Sequence, residues 1–313
     1  MNLRPRSVRG IMLAVSVALL PGTFLFAVQY GPVVWLQAGW CLCFALLLEV
    51  LFLWLRKKSI KAGLADCSWL VCGLLMARAL PLMTPAWMIF LATFTALGVV
   101  KHSCGGLGAN RLNPVMAGLA MITICFYQQL YPAPSSQLPW TLELTVPQVL
   151  GHQWLLEAPL TFDGVTGVTP LSKDLLNDIA PYYSWIGYLA GGLLLALLKV
   201  IRLEIPLMMM IASALLCVAL GHTLDEAMYN LTLGGFLFAA FFIATDPVTS
   251  PDTRAGRILY GLIIGIITEL VREFGLYADG ICFAVLTGNL LIPQLDLVSR
   301  RIYCTSRQLR FPS

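Results

Sequence analysis

The sequence is poor in charge. Only 12% of its 313 residues are charged, against 58% that are hydrophobic, whereas soluble domains carry about 25% charged residues. That deficit excludes an ordinary soluble enzyme and places the chain in the membrane class. Histidine is scarce, and His102, His152 and His222 show no metal-ligand spacing; they read as interfacial or loop residues. Nine cysteines are present, but none forms a C-x-x-C pair. Neither an iron–sulfur cluster nor a zinc site is expected, because a thiol within an apolar run acts as a small hydrophobe. No cysteine falls between residues 131 and 180, which argues against a disulfide framework there. No nucleotide-binding motif occurs, and the net charge of +4 gives no reason to expect a nucleic-acid partner. A cleavable signal is missing as well, so the first apolar run reads as the first membrane helix.

What the chain does have is apolar runs long enough to cross a bilayer as helices. They fall at roughly 10–29, 34–55, 67–83, 85–101, 112–131, 181–201, 204–222, 228–245, 256–274 and 279–297. Their order is tested by the rule that cytoplasmic loops carry the excess of Lys and Arg. With both termini inside, seventeen of the twenty Lys and Arg residues fall on the inner side, Lys101 and Arg111 among them. Only Lys173 and Arg272 fall outside, and Arg78 lies within a span. The expectation is an all-α polytopic protein of ten spans, with cytoplasmic N- and C-termini and residues 131–180 exported. Short echoes relate the two sets of five. Gly106-Leu107-Gly108-Ala109-Asn110 parallels Gly275-Leu276-Tyr277-Ala278-Asp279, each just before a helix. Five is odd, so the second set is expected to be inverted, an arrangement that puts functional sites at the repeat interface. The chain then divides into a first repeat at 1–130, an exported loop at 131–180, a second repeat at 181–298 and a basic tail at 299–313.

Four places stand out chemically. In the exported stretch, Asp163, Thr166, Gly167 and Thr169 form a polar segment whose glycines leave the backbone open, and Pro170 blocks a helix. A hydroxyl there can be esterified by a phosphate, but spacing alone favours a simple polar turn. Asn110 and Asn113, with Pro114, open the fifth span, where side-chain amides and free N–H groups can meet a flat heterocycle or an anion; helix capping explains one of them. Thr245 and Asp246 precede Pro247 after the eighth span, a capped turn with Arg254 and Arg257 near enough to meet a phosphate or balance the acid. Glu49, Arg78 and Glu269 are charges at membrane depth, functional by default. Glu49 and Arg78 belong to opposite ends of their spans, and Glu269 reads as snorkelling to the interface.

Together these segments resemble a known family. Gly105-Gly106-Leu107-Gly108-Ala109-Asn110, Asn113-Pro114, Asp163 to Leu171, Thr245-Asp246-Pro247-Val248-Thr249, Gly256-Arg257 and Asp279-Gly280 occur in the order found in the D subunit of the Rnf complex. That protein is related to the B subunit of the sodium-pumping NADH:quinone reductase. The resemblance implies FMN joined through its phosphate to Thr169, the acceptor of a D-x-x-[S/T]-G-A-T motif, by a flavin transferase working outside the cytoplasm. Val168 stands where the family usually has Ala, and Arg111 where it usually has Pro. The resemblance also implies a non-covalent riboflavin near Asn110 and Asn113. It implies partner subunits in a ferredoxin:NAD oxidoreductase of the bacterial inner membrane that moves sodium ions or protons. The short segment before the first span favours the Rnf protein over its quinone-reductase relative. A channel without redox chemistry is the alternative from another class, and the exported Thr169 motif speaks against it.

Overall fold

Each apolar run folds as helix, because in a chain so poor in polar side chains each segment must satisfy its own backbone N–H and C=O groups. The computed structural model describes residues 7–82, 84–130, 183–275 and 280–310, and among these there is no strand. The all-helical expectation therefore holds for the described residues. Ser7 caps α1 (Val8–Tyr30), its hydroxyl accepting from Gly10 N–H at 3.1 Å. Gly31 ends it in the left-handed region at φ 76°, and Pro32 starts α2 (Val33–Leu55). The six-residue α3 (Ile60–Ala65) buries nothing. Then come α4 (Ser68–Ala79), α5 (Ala86–His102), α6 (Pro114–Cys125) and α7 (Tyr127–Leu130). The later part of the chain forms α8 (Ser184–Leu197), α9 (Glu204–Ala219), α10 (Leu224–Thr232), α11 (Phe236–Ile243), α12 (Arg254–Phe274) and α13 (Ile281–Arg310).

Three helical stretches are long and apolar enough to cross a membrane unaided: α1, α2 and Ile281–Arg300 of α13. The others are shorter or broken. Helix α4 stops at Ala79, short of the run's end at 83, because Pro81 and Pro85 lie just beyond. At 12 residues, α4 and α6 each reach about 18 Å at 1.5 Å per residue. Helices α10 and α11 form one broken unit bent by 65°. Both α5, from Thr95, and α11, from Ala239, finish in π-helical turns, a winding that recurs at functional sites.

The helices pack through small residues, as membrane helices do. Helix α8 lies on α1, where a Cβ at Gly187 would meet the backbone of Gly22 and one at Gly191 the carbonyl oxygen of Ala18. Helix α12 lies on α9 in the same way, with Gly261 and Gly265 against the carbonyls of Ile205 and Met209. Each pair is a G-x-x-x-G spacing on one helix face. Helix α2 holds α4 by a different device. Gln37, fully buried, donates its amide to Ala77 O at 3.1 Å and Leu80 O at 3.3 Å, satisfying the end of α4. The outward surface stays apolar: Phe24, Val28, Leu47, Trp54, Leu215 and Leu290 are all exposed, as a lipid-facing surface requires.

Gly191→Leu and Gly265→Leu should each force their helix pair apart and cost about 1–3 kcal/mol. The cost should appear as a lower melting temperature in detergent. Gly39→Leu, on an exposed position with nothing within 4 Å of its Cβ, should leave it unchanged.

Candidate functional site

Residues far apart in sequence meet in one cleft of roughly 890 Å³, counted out to its open mouth, within the range of about 300–1,000 Å³ usual for ligand pockets. Its walls are mainly apolar, with Met12, Val71, Leu75, Leu97, Phe241 and Phe242 contributing. Its polar groups are few: Asn110, Asn113, Thr245 and Asp246 from the sequence motifs, joined by Ser68 and Lys101.

The motifs reach the cleft for local reasons. The glycine run after α5 turns the chain back with positive φ at Gly105 (123°), Gly106 (105°) and Gly108 (86°), a path open to glycine alone without strain. It wraps the Arg56 guanidinium, which donates to Gly105 O at 2.7 Å and sits 3.0 Å from where a Gly106 Cβ would be. Asn110 is then 7% exposed, its amide donating to Leu112 O at 3.1 Å. Asn113 caps α6, its Oδ1 accepting from Val115 and Met116 N–H at 3.1 and 3.2 Å. Pro114 occupies the first helical position, where no N–H is missed. Capping thus explains Asn113 and leaves Asn110 facing the cleft. On the other wall, Thr245 donates to Phe241 O at 2.6 Å. Asp246 Oδ1 accepts Val248 N–H at 3.2 Å, and its Oδ2 accepts the Thr249 hydroxyl at 3.1 Å. Burial pushes the Asp246 carboxyl above its ordinary range, although those two hydrogen bonds favour its charged form. Arg254 and Arg257 turn to Glu204, at 3.9 and 3.5 Å, and not to Asp246.

Behind the cleft stands a buried charge network. Lys101 Nζ lies 2.7 and 2.8 Å from the two oxygens of Glu49 and donates to Ser68 Oγ at 2.7 Å. Ser68 in turn donates to Asp66 at 2.7 Å. His102 Nε2 is 3.1 Å from Glu49, and Arg56 Nη1 is 3.3 Å from His102 Nδ1. Since arginine only donates, Nδ1 accepts and the ring proton is assigned to Nε2, facing the carboxylate. Lys101 and His102 are each 5% exposed and Glu49 is 2%. This corrects the reading of Lys101 as a loop charge and of His102 as interfacial. The signal available in sequence was Glu49 itself, a lone acid in an apolar run that demands a partner.

A second missed residue is Asn289 of α13. Its Oδ1 accepts Asn113 N–H at 2.8 Å, and its amide donates to Thr249 O at 2.9 Å and to Tyr260 Oη at 2.8 Å. It ties the α6 cap to the turn that carries Asp246. Arg78 does not snorkel; its guanidinium lies 3.7 Å above the Phe26 ring. Glu269 does not reach the interface either: it is 1% exposed. Asp163, Thr166, Gly167 and Thr169 lie outside the described residues.

An all-helical body with an apolar outer surface, broken helices and a polar-rimmed cleft defines an integral membrane protein built to hold an apolar, flat-sided ligand. The comparisons agree with that class. The chain matches the family described as "NQR2, RnfD, RnfE family" over residues 3–304 and belongs to it. It is 34% identical, over 95% of each chain, to proteins from Salmonella typhi and Salmonella typhimurium that are named as the D subunit of an ion-translocating oxidoreductase complex. The same figures hold for the protein of that name from Salmonella paratyphi B.

Lys101→Met should leave Glu49 a buried acid without its ammonium partner and lower stability by about 3–5 kcal/mol. The double variant Glu49→Gln/Lys101→Met should regain most of that loss in thermal unfolding. Losses that simply add in the double variant would mean that the two residues are not coupled.

Proposed function

We propose that this chain is the D-type membrane subunit of an ion-translocating ferredoxin:NAD oxidoreductase. It holds FMN covalently on Thr169 and a second, non-covalent flavin, riboflavin, in the cleft. The observation that carries the reading is convergence. Asn110, Asn113, Thr245 and Asp246 come from two distant segments, each singled out by sequence, and they line one cleft. Family membership and the names of the relatives supply the complex.

The cleft suits a tricyclic ring. Apolar walls take its faces, the Asn110 amide and the Thr245 hydroxyl are available at its polar edge, and Lys101 brings a positive charge beside it. A cation at that wall favours the electron-rich form of a bound ring. A bound flavin supplies the redox chemistry; the chain supplies position and electrostatics. In this reading all ten helical segments lie within the membrane as two inverted five-span repeats, the first within 1–130 and the second within 181–298. The termini are cytoplasmic and residues 131–180 face the outside of the bacterial inner membrane. The Thr169 hydroxyl is then exposed to an exported flavin transferase, while the cleft opens near the inner side. Electrons pass between these flavins and carriers on neighbouring subunits, with movement of sodium ions or protons coupled to the whole complex. NAD binds a partner subunit.

On a denaturing gel viewed under ultraviolet light, the purified chain should fluoresce, and Thr169→Ala should abolish the band and the matching mass increment. A dark wild-type band from cells with an active flavin transferase would overturn the covalent assignment. Natively purified Thr169→Ala should still release one riboflavin on acid treatment. Adding Asn110→Leu should cut that yield at least tenfold; an undiminished yield would place the second flavin elsewhere.

A further inference from the structure

A second buried carboxylate, away from the cleft, has no fixed counter-charge. Glu269 of α12 is 1% exposed. Its Oε2 accepts the Ser213 hydroxyl of α9 at 2.6 Å, and its Oε1 accepts the Asn230 amide of α10 at 2.8 Å. Both donors are neutral. Among the described residues no Lys, Arg or His comes within ion-pair distance of it. Arg272, one turn further along α12, donates instead to the carbonyls of Asn230 at 3.0 Å and Leu233 at 3.3 Å.

The contrast with Glu49 is informative, because the two places are built alike. Helix α2 packs on α4 and α5 as α9 packs on α10 and α12. Ser213 stands as far from the end of α9 as Glu49 does from the end of α2. In the first place the acid sits on the second helix and Lys101, near the end of the fourth, answers it. In the second place the acid sits on the fourth helix and a serine answers it, with Asn230 where Ser68 served before. One site carries a permanent cation and the other carries none. A carboxylate taken out of water without a cation is costly, and the least costly remedy is to bind one.

A way in is also present. Glu273 lies one turn from Glu269 on the same face of α12. His222 Nε2 is 3.2 Å from Glu273, and His222 Nδ1 is 3.7 Å from Glu226 of α10. Glu273, His222 and Glu226 have side chains 26%, 30% and 62% exposed, so a negative, solvent-accessible rim stands above a half-buried Asn230. The remaining titratable group at the site is the Cys217 thiol of α9, 3.8 Å from the Asn230 amide.

We propose that Glu269, with Ser213 and Asn230, is a binding site for one monovalent cation, a proton or a sodium ion, loaded through the Glu226–His222–Glu273 rim. It is independent of either flavin. A carbodiimide such as dicyclohexylcarbodiimide reacts with a protonated carboxyl in an apolar site, so it reports occupancy by a proton and is blocked by a competing ion. The intact complex is treated in potassium and in sodium buffers of equal ionic strength, and the adduct is located by peptide mass. An adduct on Glu269 that falls as pH rises, equally in both buffers, identifies the proton. An adduct suppressed several-fold by sodium identifies the sodium ion. Access of the reagent is controlled by infrared difference spectra of wild type against Glu269→Gln, or against Ser213→Ala should the former not assemble. A Glu269 band that stays that of an ionised carboxylate across the pH range and is the same in sodium and potassium overturns the proposal, whatever the labelling shows. The ultraviolet-excited gel band should be retained in both variants, which separates failure here from failure of the flavin reading.

Discussion

A lysine ammonium buried in the wall of an apolar cleft is tolerable only if a carboxylate faces it. The Glu49–Lys101 contact therefore constrains much of the first half of the molecule. It fixes the π-helical end of α5 against α2. From that anchored end the glycine run departs, and its curvature around Arg56 delivers Asn110 and Asn113 to the cleft. Ser68 and Asp66 extend the same network to the start of α4. Replacing such a pair with apolar residues of similar volume is often neutral or stabilising, so stability alone does not account for it. Placement of one positive charge beside a ligand does.

The opposite wall is held by uncharged hydrogen bonds. Asn289 reaches from α13 to the first residue of the α6 cap and to the turn after α11. Tyr260, fully buried on α12, closes the knot through its hydroxyl, which also donates to Thr249 O at 3.3 Å. The cleft is thus framed from both parts of the chain. Its two walls keep their spacing only while the small-residue crossings of α1 with α8 and α9 with α12 hold the helices close.

How much of this was legible in the sequence depends on how local the physics is. Helix positions were legible, because backbone satisfaction in an apolar chain leaves one solution. Asn110, Asn113, Thr245 and Asp246 were legible as turn and cap chemistry beside helix ends, although nothing local says that they share a cleft. Lys101 and His102 were misread because they adjoin Ser103, Cys104 and two glycines, a context that looks like a solvated loop. Only the remote Glu49 draws them inward. Glu269 was misread for a related reason. It lies near a helix end, where snorkelling is the ordinary outcome, and the donors that retain it come from α9 and α10, dozens of residues away. Charges whose partners are distant in sequence are what single-chain reading handles worst.

The two buried acids differ in what they can exchange. Glu49 is bound to an ammonium that is itself anchored by Ser68, so changing its charge state would strand Lys101 in the apolar wall. That site is rigid electrostatically and suits a fixed field beside a ligand. Glu269 faces only a hydroxyl and an amide, which stay neutral whichever state the acid takes. Its charge can change without stranding a partner, and an exposed acidic rim stands one turn away to supply the compensating cation. An asymmetry of this kind, a fixed charge in one place and an exchangeable one in its structural counterpart, is what a protein needs if electron movement and ion movement are to be handled by separate groups within one helical body.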